Sequence, residues 1–199
     1  VRAKALVRLL RARGVTLTAS LERNVASDFR ESMSFLEGAG LVQRIQDGAG
    51  AVLHIQAQKR LSLDFYKNNS IHAFLLPALL ARGLARGVRG AALRDEVSRW
   101  LDMYRWEFAL PERTALAAEL SSLLDYFRAE GVLAGTDGEE LHLEHPLVQS
   151  LVGLLDNFQE AYWIAARTIA DIDKPLAGKK PIELMRKRSA EPKESLIDG

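Results

Sequence analysis

The chain has no cysteine. That excludes a disulfide framework, a thiolate metal site and a cysteine nucleophile. It has almost no net charge: 27 Lys and Arg stand against 26 Asp and Glu, a balance of +1. Bulk positive charge therefore gives it no general affinity for nucleic acid. Long apolar runs are missing too. The longest, Ala73–Ala81, has nine residues, whereas a membrane-spanning helix needs roughly 20. No basic start, apolar run and small-residue cleavage site marks a signal peptide. The first residue is Val1 rather than Met, so a fragment of a longer protein is expected.

What is present is a chain of 199 residues, 48% apolar. That length suits one domain or two small ones, and it can bury roughly 70% of its unfolded surface without a metal or disulfide. The near-zero charge is a cancellation. Residues 1–60 carry ten basic and five acidic side chains, and residues 111–160 carry two basic and ten acidic. Residues 173–199 carry seven basic and five acidic. Such polarity along the chain points to surfaces with different neighbours.

Apolar periodicity predicts a helix over Val1–Arg13, with Ala3, Leu6, Val7 and Leu10 on its stripe and Gly14 as its stop. A second helix is expected to start at Leu21 with Ser20 as cap, and a third to be capped by Asp28 and Glu31. Then comes a hairpin signal: residues 41–45 and 51–55 flank Asp47-Gly48. With Leu53 and Ile55 facing inward, His54 faces out. The same order of helix, glycine stop and Asp-Gly hairpin recurs about ninety residues later. Tyr126–Leu133 matches Phe35–Val42, Asp137-Gly138 matches Asp47-Gly48, and Leu141-His142-Leu143 matches Leu53-His54-Ile55, so Leu141 and Leu143 are expected inward and His142 outward. A helix over Ala92–Phe108 and another starting at Pro111 precede the second hairpin.

The expected fold is α+β and mainly α: two winged-helix-like units joined by a long apolar helix, then a C-terminal helix. The boundaries are 1–60 and 88–145 for the two units, 61–87 for the connecting helix, 146–172 for the last helix and 173–199 for a basic mobile tail. Chance also accounts for the repeat, because a helix followed by glycine and a hairpin is common. Pro77 leaves the carbonyl of Ala73 without its helical donor, so a kink is expected there.

Chemistry-bearing motifs are scarce. There is no phosphate-cradling glycine loop ending in Lys-Ser/Thr and no nucleophile elbow. Gly38 and Gly40 lack the third glycine of a dinucleotide loop. His142 and His145 lie three apart, too sparse a set for a metal site, and no metal or cofactor is expected. The local signature is a polar interruption of the apolar segment: Tyr66, Asn68, Asn69 and His72. It reads either as a capped helix with a hydrogen-bonded histidine or as an interdomain polar cluster. A buried amide without a partner costs about 1–3 kcal/mol, so the cluster implies a specific polar neighbour. Lys179, Lys180, Arg186, Lys187 and Arg188 are candidate contacts for a membrane surface or an anion; a solvated basic tail is the plainer reading.

The run Phe65-Tyr66-Lys67-Asn68-Asn69-Ser70-Ile71-His72, followed by Ala73-Phe74-Leu75-Leu76-Pro77, resembles a segment of membrane-bound glycerol-3-phosphate acyltransferases. In that family it lies C-terminal to the acyltransferase domain. The resemblance extends through Tyr104-Arg105-Trp106-Glu107, Arg128–Leu133 and Asp137–Leu143 to Phe158–Arg167, covering about 60–172. Catalysis there rests on a His-x-x-x-x-Asp motif. Here the residues five beyond each histidine are Lys59, Pro77, Leu147 and Ser150. A general base and its orienting carboxylate cannot be assigned. The resemblance thus implies a non-catalytic C-terminal region whose own upstream domain transfers an acyl group. The donor would be acyl-CoA or acyl-carrier protein, the acceptor the 1-hydroxyl of glycerol 3-phosphate, the place the cytoplasmic face of a membrane. The other reading is a tandem winged-helix protein that reaches nucleic acid through Arg23, Arg30 and Arg44; Glu22, Asp28 and Glu31 on the same helices oppose it, and no nucleic-acid partner is expected.

Overall fold

In the computed structural model the described residues are 2–48, 50–108, 110, 114–134, 140–170, 172 and 180–189. The side chains of Asp47, Tyr66 and Asn69 also lie outside the description. The protein is mainly helical with short strands. It divides into two compact units, Val1–Gly153 and Leu154–Gly199.

The first unit opens with α1 (Arg2–Ala12), α2 (Ala19–Arg23) and α3 (Val25–Gly38). The caps differ from those expected. Thr18, not Ser20, caps α2 by accepting from the Leu21 N–H at 3.4 Å. Asn24 caps α3, accepting from the N–H groups of Ala26 and Ser27 at 3.1 Å each. A short polar side chain just outside the first turn takes over donors the helix leaves unpaired, and Asn is among the best at it. The glycine stops are where the sequence puts them. Gly14, Gly40 and Gly131 have φ of 69°, 65° and 69°, a left-handed conformation that glycine adopts without strain.

Strands β1 (Gln43–Asp47) and β2 (Gly50–His54) pair antiparallel, from Gln43 opposite His54 to Asp47 opposite Gly50. Arg44 reaches back to Glu37 at the end of α3, 2.7 Å away. Every residue of β2 is exposed, so the inward orientation expected for Leu53 and Ile55 does not hold. The second hairpin is shorter and better covered. β3 (Leu133–Ala134) pairs with β4 (Glu140–Leu141), and Leu133 and Leu141 are buried. Leu143, also expected inward, is 57% exposed. The expected Asp137-Gly138 turn and the Pro111 helix start lie outside the described residues.

The apolar segment forms two helices rather than one. After a short 3-10 turn (Ala57–Lys59), α4 (Arg60–Ile71) and α5 (Leu75–Ala85) flank a turn at His72, Ala73 and Phe74. Pro77 sits in the first turn of α5, where its missing N–H has no intrahelical bond to lose. The chain therefore breaks before the proline instead of kinking at it. α5 is the core helix: Leu75, Leu76, Leu79, Leu80 and Leu84 are all buried. Each such side chain contributes about 1.5–3 kcal/mol on leaving water. α5 packs on α6 (Gly90–Tyr104), α7 (Leu116–Ala129), β4 and α8 (Pro146–Leu151). It comes very near α6 at Gly83, where an added Cβ would stand 2.5 Å from Leu93 Cδ1.

The second unit consists of α9 (Asp156–Ala170) packed on α10 (Lys180–Ser189). The single helix expected over 146–170 is thus interrupted between Leu151 and Asp156. α10 gives helical order to part of the segment expected as a basic tail.

Candidate functional site

The polar cluster falls on the last turns of α4. Tyr66, Asn68 and Asn69 belong to that helix and His72 is the residue after its end. His72 is exposed and Asn68 half-buried. The Oδ1 of Asn68 is buried and has no donor among the described residues. Lys67 pairs with Asp64 at 3.3 Å, one turn earlier on the same helix.

The remaining histidines are unclustered. His54 and His142 are exposed. The Nδ1 of His145 accepts from the Leu147 N–H at 3.3 Å and so caps α8. Among the described residues no three His, Asp or Glu side chains are grouped to hold a metal ion. Lys180, Arg186 and Lys187 are exposed along α10 and Arg188 is half-buried; Lys179 lies outside the described residues. No helix of the described residues is long and apolar enough to cross a membrane.

Two features escaped sequence reasoning. The first is a set of bare apolar side chains on the N-terminal elements of the first unit. Phe29 and Phe35 on α3, Ile45 and Val52 on the hairpin, and Leu61 and Phe65 on α4 are 48–81% exposed. Ile45 and Val52 lie directly opposite each other, on the hairpin face away from Arg44. Alternation along β1 and β2 gave no warning, because apolar residues fall on both faces. An isolated two-stranded hairpin is marginal in water and ordinarily leans on a partner. Exposed apolar side chains that adjoin, as Ile45 and Val52 do across the hairpin, are candidate contact surfaces.

The second is Arg13, at the C-terminal end of α1. Its Nη1 donates to the carbonyl oxygen of Ala73 at 2.7 Å, and its Nη2 lies 3.3 Å from Glu119 Oε2 on α7. Burial pushes its pKa down, and the charge and hydrogen bond of Glu119 oppose the shift. The sequence signal was the freed Ala73 carbonyl, which implied a donor without naming it.

The sequence comparison decides the family. Residues 1–191 match the family described as the glycerol-3-phosphate acyltransferase C-terminal region. The chain belongs to this family. Among relatives, the glycerol-3-phosphate acyltransferase of Shewanella baltica strain OS155 is 28% identical over 153 residues, covering 71% of this chain and 19% of that protein. That of Shewanella sp. strain MR-4 is 26% identical over 152 residues, with the same coverage. That of Shewanella amazonensis is 28% identical over 92 residues, 45% of this chain and 11% of the relative. The chain thus spans about a fifth or less of the glycerol-3-phosphate acyltransferases it matches. No solved structure matches it significantly.

Proposed function

We propose that this chain is a non-catalytic C-terminal region of a glycerol-3-phosphate 1-O-acyltransferase and that it scaffolds or regulates the acyltransferase domain of the same polypeptide. The observation that carries the reading is the apolar hairpin and its flanking helices, α3 and α4, standing in solvent. The acyltransferase domain covers this surface. Burying the Ile45–Val52 pair there removes from water what the hairpin otherwise exposes, and each well-buried side chain contributes on the order of 1.5–3 kcal/mol. Tyr66, Asn68, Asn69 and His72, at the C-terminal end of α4, supply polar contacts to the same domain.

The parent enzyme takes an acyl group from acyl-CoA or acyl-carrier protein, passes it to glycerol 3-phosphate, and works at the cytoplasmic face of a membrane in phospholipid synthesis. Lys179, Lys180, Arg186, Lys187 and Arg188 contact the anionic lipid there. Residues 1–60 and 88–145 are two winged-helix-like units used for packing rather than for nucleic acid. The parallel endings of α3 and α7 support that pairing: Leu41 N–H donates to Leu36 O at 2.9 Å and Val132 N–H to Phe127 O at 2.8 Å. The same ending occurs at Gly14 and Gly87, so the support is for the helix stops more than for duplication.

The test is acyl transfer to glycerol 3-phosphate, measured for this chain alone and for the full-length polypeptide. The expected result is turnover by the latter only. Turnover by the 199-residue chain would overturn the non-catalytic reading.

A further inference from the structure

A groove of about 270 Å³ lies between α1 and the junction of α2 with α3. Lys4, Arg8, Arg11 and Arg23 line it, with Glu22 as the carboxylate and Val7 and Val25 as apolar wall. Lys4, Arg8 and Arg11 fall at i, i+4 and i+7, so one helix face carries all three. Three of the cations are held in place by their own partners. Arg8 reaches Glu130 at 3.0 Å. Arg11 Nη2 donates to the Glu22 carbonyl at 2.7 Å, and Arg23 Nε donates to the Ala19 carbonyl at 3.1 Å. A guanidinium has five N–H donors, so each retains donors after these bonds. Lys4 has no hydrogen bond or ion pair among the described residues. The α3 amides nearest the groove are already taken by Asn24, so the attraction resides in the side-chain cations.

We infer that this groove binds a phosphate ester, with Lys4, Arg8, Arg11 and Arg23 as its cationic contacts. Three features select that chemistry. Planar guanidinium forks match phosphate oxygens and are ordered before the ligand arrives, which lowers the cost of binding. The volume falls just below the roughly 300–1,000 Å³ of drug-sized sites, which gives room for a phosphoryl group on a small alcohol. The valines favour a neutral substituent beside the charge. Both a soluble phosphomonoester and a phospholipid headgroup offer this group. The inference is independent of the proposed docking of the hairpin, since none of the hairpin residues lines the groove.

The test is a nuclear magnetic resonance titration of the ¹⁵N-labelled chain at low ionic strength, with inorganic phosphate, with glycerol 3-phosphate, and separately a sedimentation assay with phosphatidylglycerol–phosphatidylcholine vesicles. The expected result is saturable amide shifts confined to 4–11 and 22–26. Lys4→Glu with Arg23→Glu weakens binding by about tenfold or more, and Arg94→Glu, on exposed α6 surface, changes it by less than about twofold. Shifts with the soluble probes assign a soluble ester. Sedimentation with vesicles alone, weakened in the double variant and not by Arg94→Glu, assigns a lipid headgroup. Should the charge reversals reduce helical circular dichroism, Lys4→Gln with Arg23→Gln gives the same comparison. No saturable response to any probe, a response the double variant leaves unchanged, or equal weakening by Arg94→Glu would overturn the inference.

Discussion

Arg13 donates to the carbonyl of Ala73 across 60 residues of sequence, at 2.7 Å. In an unbroken helix that carbonyl would accept from residue 77, which is a proline without an N–H. The guanidinium of Arg13, just past the end of α1, fills the vacancy and also meets Glu119 on α7. One side chain therefore ties the first helix to the turn before the core helix and to a third element. This is how a chain with no disulfide fixes the entry into α5.

Arg13→Met should destabilise the protein by about 1–3 kcal/mol, the range for a lost hydrogen bond to a charged group, with its partial exposure drawing the value toward the lower end. Arg13→Lys should fall between the two, because one ammonium cannot reproduce the fork that reaches both Ala73 and Glu119. Urea denaturation of the three proteins checks the order.

Gly83 is needed for the approach of α5 to α6, since its Cβ would meet Leu93 at 2.5 Å. Gly83→Val should cost about 1–3 kcal/mol through overpacking. Leu93→Ala alone should cost about 2–5 kcal/mol. In the Gly83→Val background it should cost distinctly less, because the valine occupies space that the leucine leaves. A double-mutant cycle by denaturation measures that coupling, and strict additivity would show the contact is not shared.

Tyr126 on α7 has its pKa raised by burial, then by the charge of Glu130, with Arg8 opposing. The fold thus holds the phenol proton more tightly than the unfolded chain does. Below the ordinary tyrosine value, about 10, this contribution is fully present. It is lost as pH rises from there through the folded value, because the unfolded chain releases its proton first. Tyr126→Phe should lessen the alkaline fall in stability while changing little near neutrality. Denaturation midpoints at about pH 8 and pH 11 compare the two proteins.

Much of the fold was legible because local chemistry and tertiary structure agree. The glycines at 14, 40 and 131 end helices, and the Asp47-Gly48 signal marks a hairpin. The missing donor at Pro77 announced trouble at Ala73. What was not legible depends on neighbours. Ser20 and Thr18 are equally able caps, and only the chain path chooses. Leu53 and Ile55 look like core residues by type, yet no element among the described residues covers them. The break of 146–170 at Leu151 lies inside a continuous apolar pattern, where periodicity has nothing to report. Of the candidate site, Tyr66, Asn68, Asn69 and His72 stand out as polar residues interrupting an apolar segment, whereas the exposed apolar side chains appear only when the elements are assembled. The basic groove likewise needs α1 and the α2–α3 junction side by side.

The most direct test of the account exchanges the exposed Ile45–Val52 pair for Ile45→Glu with Val52→Lys, which keeps a favourable cross-strand pair while removing the apolar surface. In the 199-residue chain the stability should change by no more than about 0.5 kcal/mol, as at an uncovered surface. In the full-length polypeptide acyl transfer to glycerol 3-phosphate should fall by about tenfold or more, from loss of a buried apolar contact. Unchanged acyl transfer at equal protein level would contradict the claim that this surface docks on the acyltransferase domain.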